Sequence, residues 1–302
     1  MRLVVTGAGG MLGCDVLRVA ARAGHDVTAL TRAELDITDA AATTGAITRA
    51  APDVVVNCAA WTDVDGAEAQ EAAALAVNGT GAGNVAVAAG LARATVVQVS
   101  TDYVFDGARR TPYVESDATG PIGAYGRTKL AGERAVAAAG GRHAIVRTAW
   151  LFGRGGPNFV DTMLRLGRER DEVSVVTDQI GSPTWTGDLA RALVSIAERE
   201  TTGILHAAGS GSCSWFDFAR EIFALTGVGC TVNATTTEAF PRPAPRPPWS
   251  VLGTERTDGP VLPSWQAGLS GYLTELSGRA AGDQAAAPPG AAQTTTTNGA
   301  RA

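Results

Sequence analysis

The chain has 302 residues, 45% of them hydrophobic and 18% charged, with a formal net charge of −5. That length can bury a sizeable core as one large α/β domain or a domain with a smaller lobe, and the composition excludes a disordered chain as a whole. A negative balance without a lysine or arginine block argues against nucleic acid as a partner, and three scattered histidines (His25, His143, His206) argue against a histidine-built metal site.

In chain order, strand-like β-branched runs fall at Leu3–Thr6, Asp26–Leu30, Asp53–Asn57, Thr95–Ser100 and His143–Arg147. Helical stretches separate them at Met11–Ala23, Thr38–Ala50, Ala67–Ala89 and Tyr125–Ala139. The strand runs are nearly all apolar rather than alternating, which predicts parallel strands covered on both faces, hence an α/β doubly wound sheet. Further strands are expected at Val173–Val176 and Ile204–His206, with helices at Phe159–Arg168, Thr186–Glu198 and Ser214–Leu225. The proline-rich stretch Phe240–Pro248 predicts an extended loop. From Ser277 onward no Val, Ile, Leu, Met, Phe, Trp or Tyr occurs, which predicts a disordered tail over 277–302. The expected division is therefore a dinucleotide-binding core over 1–150 and a smaller substrate-binding lobe over 151–276, some of whose elements return to the core.

Cys14, Cys58, Cys213 and Cys230 show no CxxC spacing and lie in or beside apolar runs, the pattern of buried thiols in a reducing compartment. The start Met1–Gly7 runs straight into a strand and glycine turn, leaving no room for a signal peptide, and no apolar run approaches the roughly 20 residues of a membrane span. A cytoplasmic protein with no membrane partner is expected.

Thr6-Gly7-Ala8-Gly9-Gly10-Met11-Leu12-Gly13 follows the first strand and opens the first helix, with Gly7, Gly10 and Gly13 spaced as GxxGxxG. Such a turn lets backbone approach a pyrophosphate, which the helix N-terminal amides then face. A bound nicotinamide dinucleotide on a Rossmann-type sheet is the reading. The acid that NAD-preferring sites place after the second strand is missing; Thr31-Arg32 stands there, and Arg32 could meet a 2′-phosphate, which favours NADPH over NADH. Asp36 and Ile37 follow in a position to flank the adenine.

Tyr125 and Lys129, at i and i+4 on a helix, share one face. A nearby ammonium should lower the phenol pKa, suiting Tyr125 to proton transfer in a carbonyl reduction. Ser100, Thr101 and Asp102 end the fourth strand, where ligands bind in open α/β sheets.

With these residues the chain resembles the extended short-chain dehydrogenase/reductases, and more closely their dTDP-4-dehydrorhamnose reductase branch. The stretches that carry the resemblance are Asn57–Asp65, Ser100–Gly107, Tyr125–Glu133, Arg147–Trp150 and Asp178–Thr184, within a likeness covering residues 1–276. The resemblance implies Thr101, Tyr125 and Lys129 as the catalytic set. It implies cofactor contacts at Gly10, Met11, Leu12, Asp36, Ile37, Ala60, Trp61 and Thr62, along with Tyr125 and Lys129 themselves, and sugar-nucleotide contacts at Thr101, Asp102 and Trp150. Arg246 could clamp the pyrophosphate. Two departures stand out: Met11 replaces the usual Gln, and Trp249 replaces the Asn of an Arg-Pro-x-Asn-Ser pattern that begins at Arg246. Some members hold Mg²⁺ at a dimer contact, for which Asp15 and Asp188 are the matching acids, although the ordinary reading is two surface carboxylates. The implied reaction is NAD(P)H-dependent reduction of the C4 ketone of dTDP-4-dehydro-L-rhamnose by a monomer or homodimer. Alternatives are dihydrostreptose synthesis or another dTDP-deoxysugar ketoreduction of antibiotic pathways, and a non-catalytic dinucleotide-binding regulatory subunit.

Overall fold

Four of the β-branched runs are buried on both faces and form the body of one parallel sheet; Asp26–Leu30, at its edge, stays exposed or half-buried along its length, contrary to the expectation of cover on both faces. In the computed structural model, which describes residues 1–285, the first half comprises β1 (Arg2–Thr6), α1 (Met11–Arg22), β2 (Asp26–Leu30), α2 (Ala40–Ala50) and β3 (Val54–Asn57). There follow α3 (Val64–Ala69), α4 (Glu71–Leu75), a π-helical turn (Ala76–Gly81), α5 (Ala82–Leu91) and β4 (Thr95–Thr101). A 3₁₀ turn (Asp102–Val104), α6 (Ala124–Ala138) and β5 (His143–Thr148) come next.

The second half contains β6 (Leu151–Phe152), α7 (Phe159–Glu169), β7 (Glu172–Val176), β8 (Ile180–Gly181) and β9 (Thr184–Trp185). It ends with α8 (Thr186–Glu198), β10 (Gly203–His206), β11 (Cys213–Ser214), α9 (Trp215–Thr226), β12 (Thr231–Thr235) and α10 (Trp265–Ala285). The main sheet runs β2-β1-β3-β4-β5-β10, every neighbouring pair parallel. Its order reverses between β1 and β3, and the crevice above that switch point is where such sheets bind ligands.

Leu3, Val5, Val56 and Val97 pack under α1 and α8, whose Leu12, Val16, Leu189 and Leu193 complete that layer. Val4, Val55, Val96 and Ile145 face Ile47, Val85 and Ala89 on the opposite side. A separate core joins Phe152, Met163, Phe218, Ile222, Trp265, Leu269 and Tyr272 in the smaller lobe. α8 and β10 belong to the second half of the sequence yet complete the cover of the main sheet and the sheet itself.

Several expectations need correction. The single helix expected over Ala67–Ala89 is broken at Gln70 and widened into the π turn, which turns the Asn78 side chain towards Trp61. Gly132 of α6 abuts the same turn, where any Cβ would overlap the Asn78 carbonyl oxygen. The helical stretch Glu71–Leu91 is also long and apolar enough to cross a membrane by length and composition, contrary to the sequence reading; half of it is buried inside the fold. Ser277–Ala285, expected to be disordered, continues α10, whose anchor is the packing of Trp265, Leu269 and Tyr272. Residues 286–302 of that expected tail lie outside the described residues. Of the four free cysteines, Cys213 and Cys230 are buried as expected, whereas Cys58 is half-buried and Cys14 is exposed in the first turn of α1.

Candidate active site

The glycine turn closes with little slack. Gly7 adopts φ +66°, and a Cβ there would stand 2.5 Å from the Ala59 nitrogen. A Cβ on Gly13 would overlap the Gly7 carbonyl oxygen, so both positions need glycine for α1 to seat against β1 and β3. Gly10 caps α1 without any side-chain hydrogen bond, leaving the first-turn amides of Met11, Leu12 and Gly13 without a side-chain acceptor. An uncapped N-terminus at the sheet's switch point fits an anionic pyrophosphate.

Beside it, a buried relay of amides ties the strand ends together. The Thr6 hydroxyl donates to Asn57 Oδ1 at 2.6 Å, and Asn57 Nδ2 donates to Gln98 Oε1 at 2.6 Å. The loop Ala60-Trp61-Thr62 is fixed by Asn78, which accepts from the Trp61 amide (2.8 Å) and donates to the Trp61 carbonyl (3.1 Å) and the Thr128 hydroxyl (3.1 Å). Beyond β2, Arg32 is exposed. Thr31 donates through its amide and hydroxyl to Glu34, and Asp36 accepts both donors of Thr38. The Ile37 side chain is buried in the core.

Tyr125 and Lys129 do share one face of α6, with Thr101 at the end of β4 facing them. The expected electrostatics are reversed. Burial, helped by the charge of Asp102, pushes the Tyr125 phenol up to about 12, against a hydrogen bond with Thr101. Burial likewise pushes Lys129 down to about 8, against the attraction of Glu133 and Cys58. Lys129 Nζ donates to the Val99 carbonyl at 2.7 Å. Lys129 is buried and Tyr125 partly buried, and in each the cost of desolvating the charged form sets the direction. Asp102 is 2% exposed; burial raises its carboxyl to about 7, against hydrogen bonds from Ser250 and Thr101, the Thr101 hydroxyl donating at 3.0 Å. Its second oxygen, Oδ2, is buried without a partner.

Below this set lies a buried ion pair that the sequence reading missed. Glu133 accepts from Ser100 (2.5 Å) and from Arg147 Nε (2.9 Å) and Nη2 (2.8 Å). Glu133 stands one turn after Lys129, a spacing that could have marked it.

On the lobe side, Trp150 holds φ +46°, a strained conformation for a bulky residue, and its ring stacks on Trp215 with centroids 3.6 Å apart and planes within 5°. Its other neighbour is Gly181, where a Cβ would overlap the indole. Trp215 carried no signal in the sequence reading beyond its helix-start position. Arg246 joins the site but is already engaged: Nη1 and Nη2 donate to the two oxygens of Asp65 at 3.0 and 3.1 Å. Trp249 donates from Nε1 to the Thr111 carbonyl (3.0 Å) and packs against Val104, Phe105, Tyr113 and Leu130.

Of the two acids matched to Mg²⁺, Asp15 accepts from Thr186 (2.6 Å) and Arg18 (2.7 Å) and Asp188 is paired with Arg191; within the one chain no group of three or more His, Cys, Asp or Glu forms a site among the described residues.

The family described as RmlD substrate binding domain matches residues 1–277. The chain is 47% identical over 289 residues to a dTDP-4-dehydrorhamnose reductase of Streptomyces griseus, covering 92% of this chain and 95% of that protein. It is 45% identical to a probable dTDP-4,6-dihydroxy-2-methyloxan-3-one 4-ketoreductase of Streptomyces antibioticus, covering 89% of this chain and 93% of that one. Its fold superposes with a TM-score of 0.89 on a dTDP-4-dehydrorhamnose reductase of Bacillus anthracis solved with NADP, at 39% identity over 91% of this chain and 99% of that chain. Fold, turn and Tyr/Lys helix thus agree with the sequence likeness, and the chain belongs to the RmlD, or dTDP-4-dehydrorhamnose reductase, family.

Proposed function

We propose that this protein is an oxidoreductase that reduces the C4 ketone of dTDP-4-dehydro-L-rhamnose to dTDP-L-rhamnose with NADPH or NADH, acting in the cytoplasm. The observation that carries the reading is the convergence of Thr101, Tyr125 and Lys129 at the strand ends beside an uncapped glycine-turn helix. Gly7, Gly10, Met11, Leu12 and Gly13 would hold the cofactor pyrophosphate, Arg32 and Asp36 its adenosine end, and Ala60, Trp61 and Thr62 its middle. When bound, the cofactor supplies hydride to the carbonyl carbon.

The chain's own groups do the rest. Tyr125, held neutral by burial, carries the proton that the developing alkoxide takes. Thr101 hydrogen-bonds the same oxygen, and such aimed donors act most strongly where charge forms in a dry site. Lys129, anchored on Val99, retains two further donors for the cofactor ribose and becomes the counter-charge once Tyr125 is a phenolate. Asp102 and the Trp150–Trp215 stack would bound the sugar.

The test is loss of 340 nm absorbance with NADPH, then NADH, against dTDP-4-dehydro-L-rhamnose, the product identified by NMR. Tyr125→Phe is expected to abolish turnover and leave cofactor binding nearly intact. Turnover by that variant at the parent rate would remove Tyr125 from the mechanism. The Streptomyces antibioticus relative favours a second reading, ketoreduction of another dTDP-deoxysugar, which the same assay separates by its substrate.

A further inference from the structure

The proline-rich loop lies against the site and is fastened at a single acidic side chain. Asp65, the second residue of α3, accepts five donors: both Nη groups of Arg246, Nε and Nη2 of Arg242, and the Ala244 amide. Burial alone would raise its carboxyl. The Arg246, Ala244 and Arg242 hydrogen bonds outweigh that and hold it well below the usual carboxylate range. One negative and two positive charges leave the cluster with a net positive charge.

Donor accounting at Arg246 decides what that charge can do. A guanidinium has five N–H donors. Asp65 takes one from Nη1 and one from Nη2, end-on, and the Ala244 carbonyl takes the second Nη1 hydrogen at 2.9 Å. The remaining two, on Nε and Nη2, share one edge of the planar group, the fork that fits a phosphate side-on. The residue before Arg246 places that group beside the Tyr/Lys helix: the Pro245 carbonyl lies against Gly123, the N-cap of α6, two residues before Tyr125. The loop itself threads past Gly107 and Gly123, where Cβ atoms would meet Pro247 at 2.7 Å and the Pro245 carbonyl at 3.3 Å.

Resting on the nucleotide-sugar reading above, we propose that Asp65 is a positioning residue that turns the free Nε/Nη2 edge of Arg246 towards the substrate's diphosphate. α3 gives this a second consequence. The same short helix follows the Trp61 loop and carries Glu68, which accepts from the Ala124 amide at 2.7 Å and so caps α6. One turn of chain therefore joins the cofactor loop, the Tyr/Lys helix and the diphosphate arginine.

The test uses the full chain and two probes, dTDP and thymidine, titrated by calorimetry in the parent, Asp65→Asn, Asp65→Glu and Arg246→Ala, with circular dichroism as the folding control. Asp65→Asn and Arg246→Ala are each expected to weaken dTDP about 10-fold or more while leaving thymidine within about twofold, the discrimination a bidentate charged pair supplies. In turnover, Asp65→Asn should raise KM for the nucleotide sugar and leave kcat and the NADPH KM nearly unchanged, and Asp65→Glu should recover part of the loss. Equal loss of dTDP and thymidine would reduce Asp65 to a structural tie and overturn the proposal. Arg246→Ala weakening dTDP while Asp65→Asn does not would leave the arginine's role and remove that of Asp65. A parent chain that binds no dTDP would instead refute the nucleotide-sugar reading itself.

Discussion

Replacing Glu133 by Gln removes one charge from the interior and changes almost nothing in volume. In the parent, Glu133 and Arg147 side chains are 5% and 3% exposed and share two hydrogen bonds, with a third from Ser100. Arg147 Nη1 is already buried without a partner, so the guanidinium depends on this carboxylate for its compensation. Removing one member of a buried pair costs about 3–5 kcal/mol, because the survivor stays buried and charged. At about 2–4 °C per kcal/mol for a chain somewhat smaller than this one, the midpoint of thermal unfolding should fall by roughly 6–20 °C. Urea unfolding followed by circular dichroism gives the free energy directly. The double replacement Glu133→Leu/Arg147→Met should recover most of the loss, since it removes both charges. A loss below about 1 kcal/mol for Glu133→Gln would mean that Arg147 is solvated or re-paired, and the reading of a dry pair would fall.

Two further outcomes follow from the site. Asp102 titrates at about 7 folded against 3.8 ordinarily, so the folded state binds the extra proton between these values and stability should fall as pH rises from about 4 through about 7. Asp102→Asn should flatten that limb of a pH series of unfolding midpoints; an unchanged slope would place the charge elsewhere. Gly13→Ala should weaken NADPH binding, read by fluorescence titration, by about 10-fold or more, because the new Cβ overlaps the Gly7 carbonyl and forces the pyrophosphate turn apart. Affinity within twofold of the parent would show that the turn has slack.

The main sheet was legible because its central strands are short, β-branched and buried on both sides, so composition and placement say the same thing. Strand boundaries agree to within a residue at β1, β2, β3, β4 and β5. The glycine turn was equally legible, since its demand for small residues is local. What escaped was set by distant partners. The π turn exists to aim Asn78 at Trp61 across 17 residues, and Asp65 acquires its role from arginines 177 and 181 residues away. The motif position of Trp249 left its place open, and the fold packs it, partly buried, against the small core of Phe105 and Tyr113. The Tyr125/Lys129 spacing was right and its electrostatics wrong, because spacing reports adjacency and says nothing about desolvation.

The sheet is stitched from both ends of the chain, and this shapes how the protein must assemble. Residues 1–150 supply five of the six strands, yet β5 would be an open edge until Gly203–His206 arrives, and the apolar face of α1 would lack α8. An uncovered parallel edge and a bare Val/Leu surface are the features that recruit other chains. During synthesis the N-terminal half therefore waits, partly built, through β6, α7, β7, β8 and β9 before α8 and β10 can close its core. For this chain the second half of the sequence is a step in folding the first, so a truncation between them would cut through one cooperative unit.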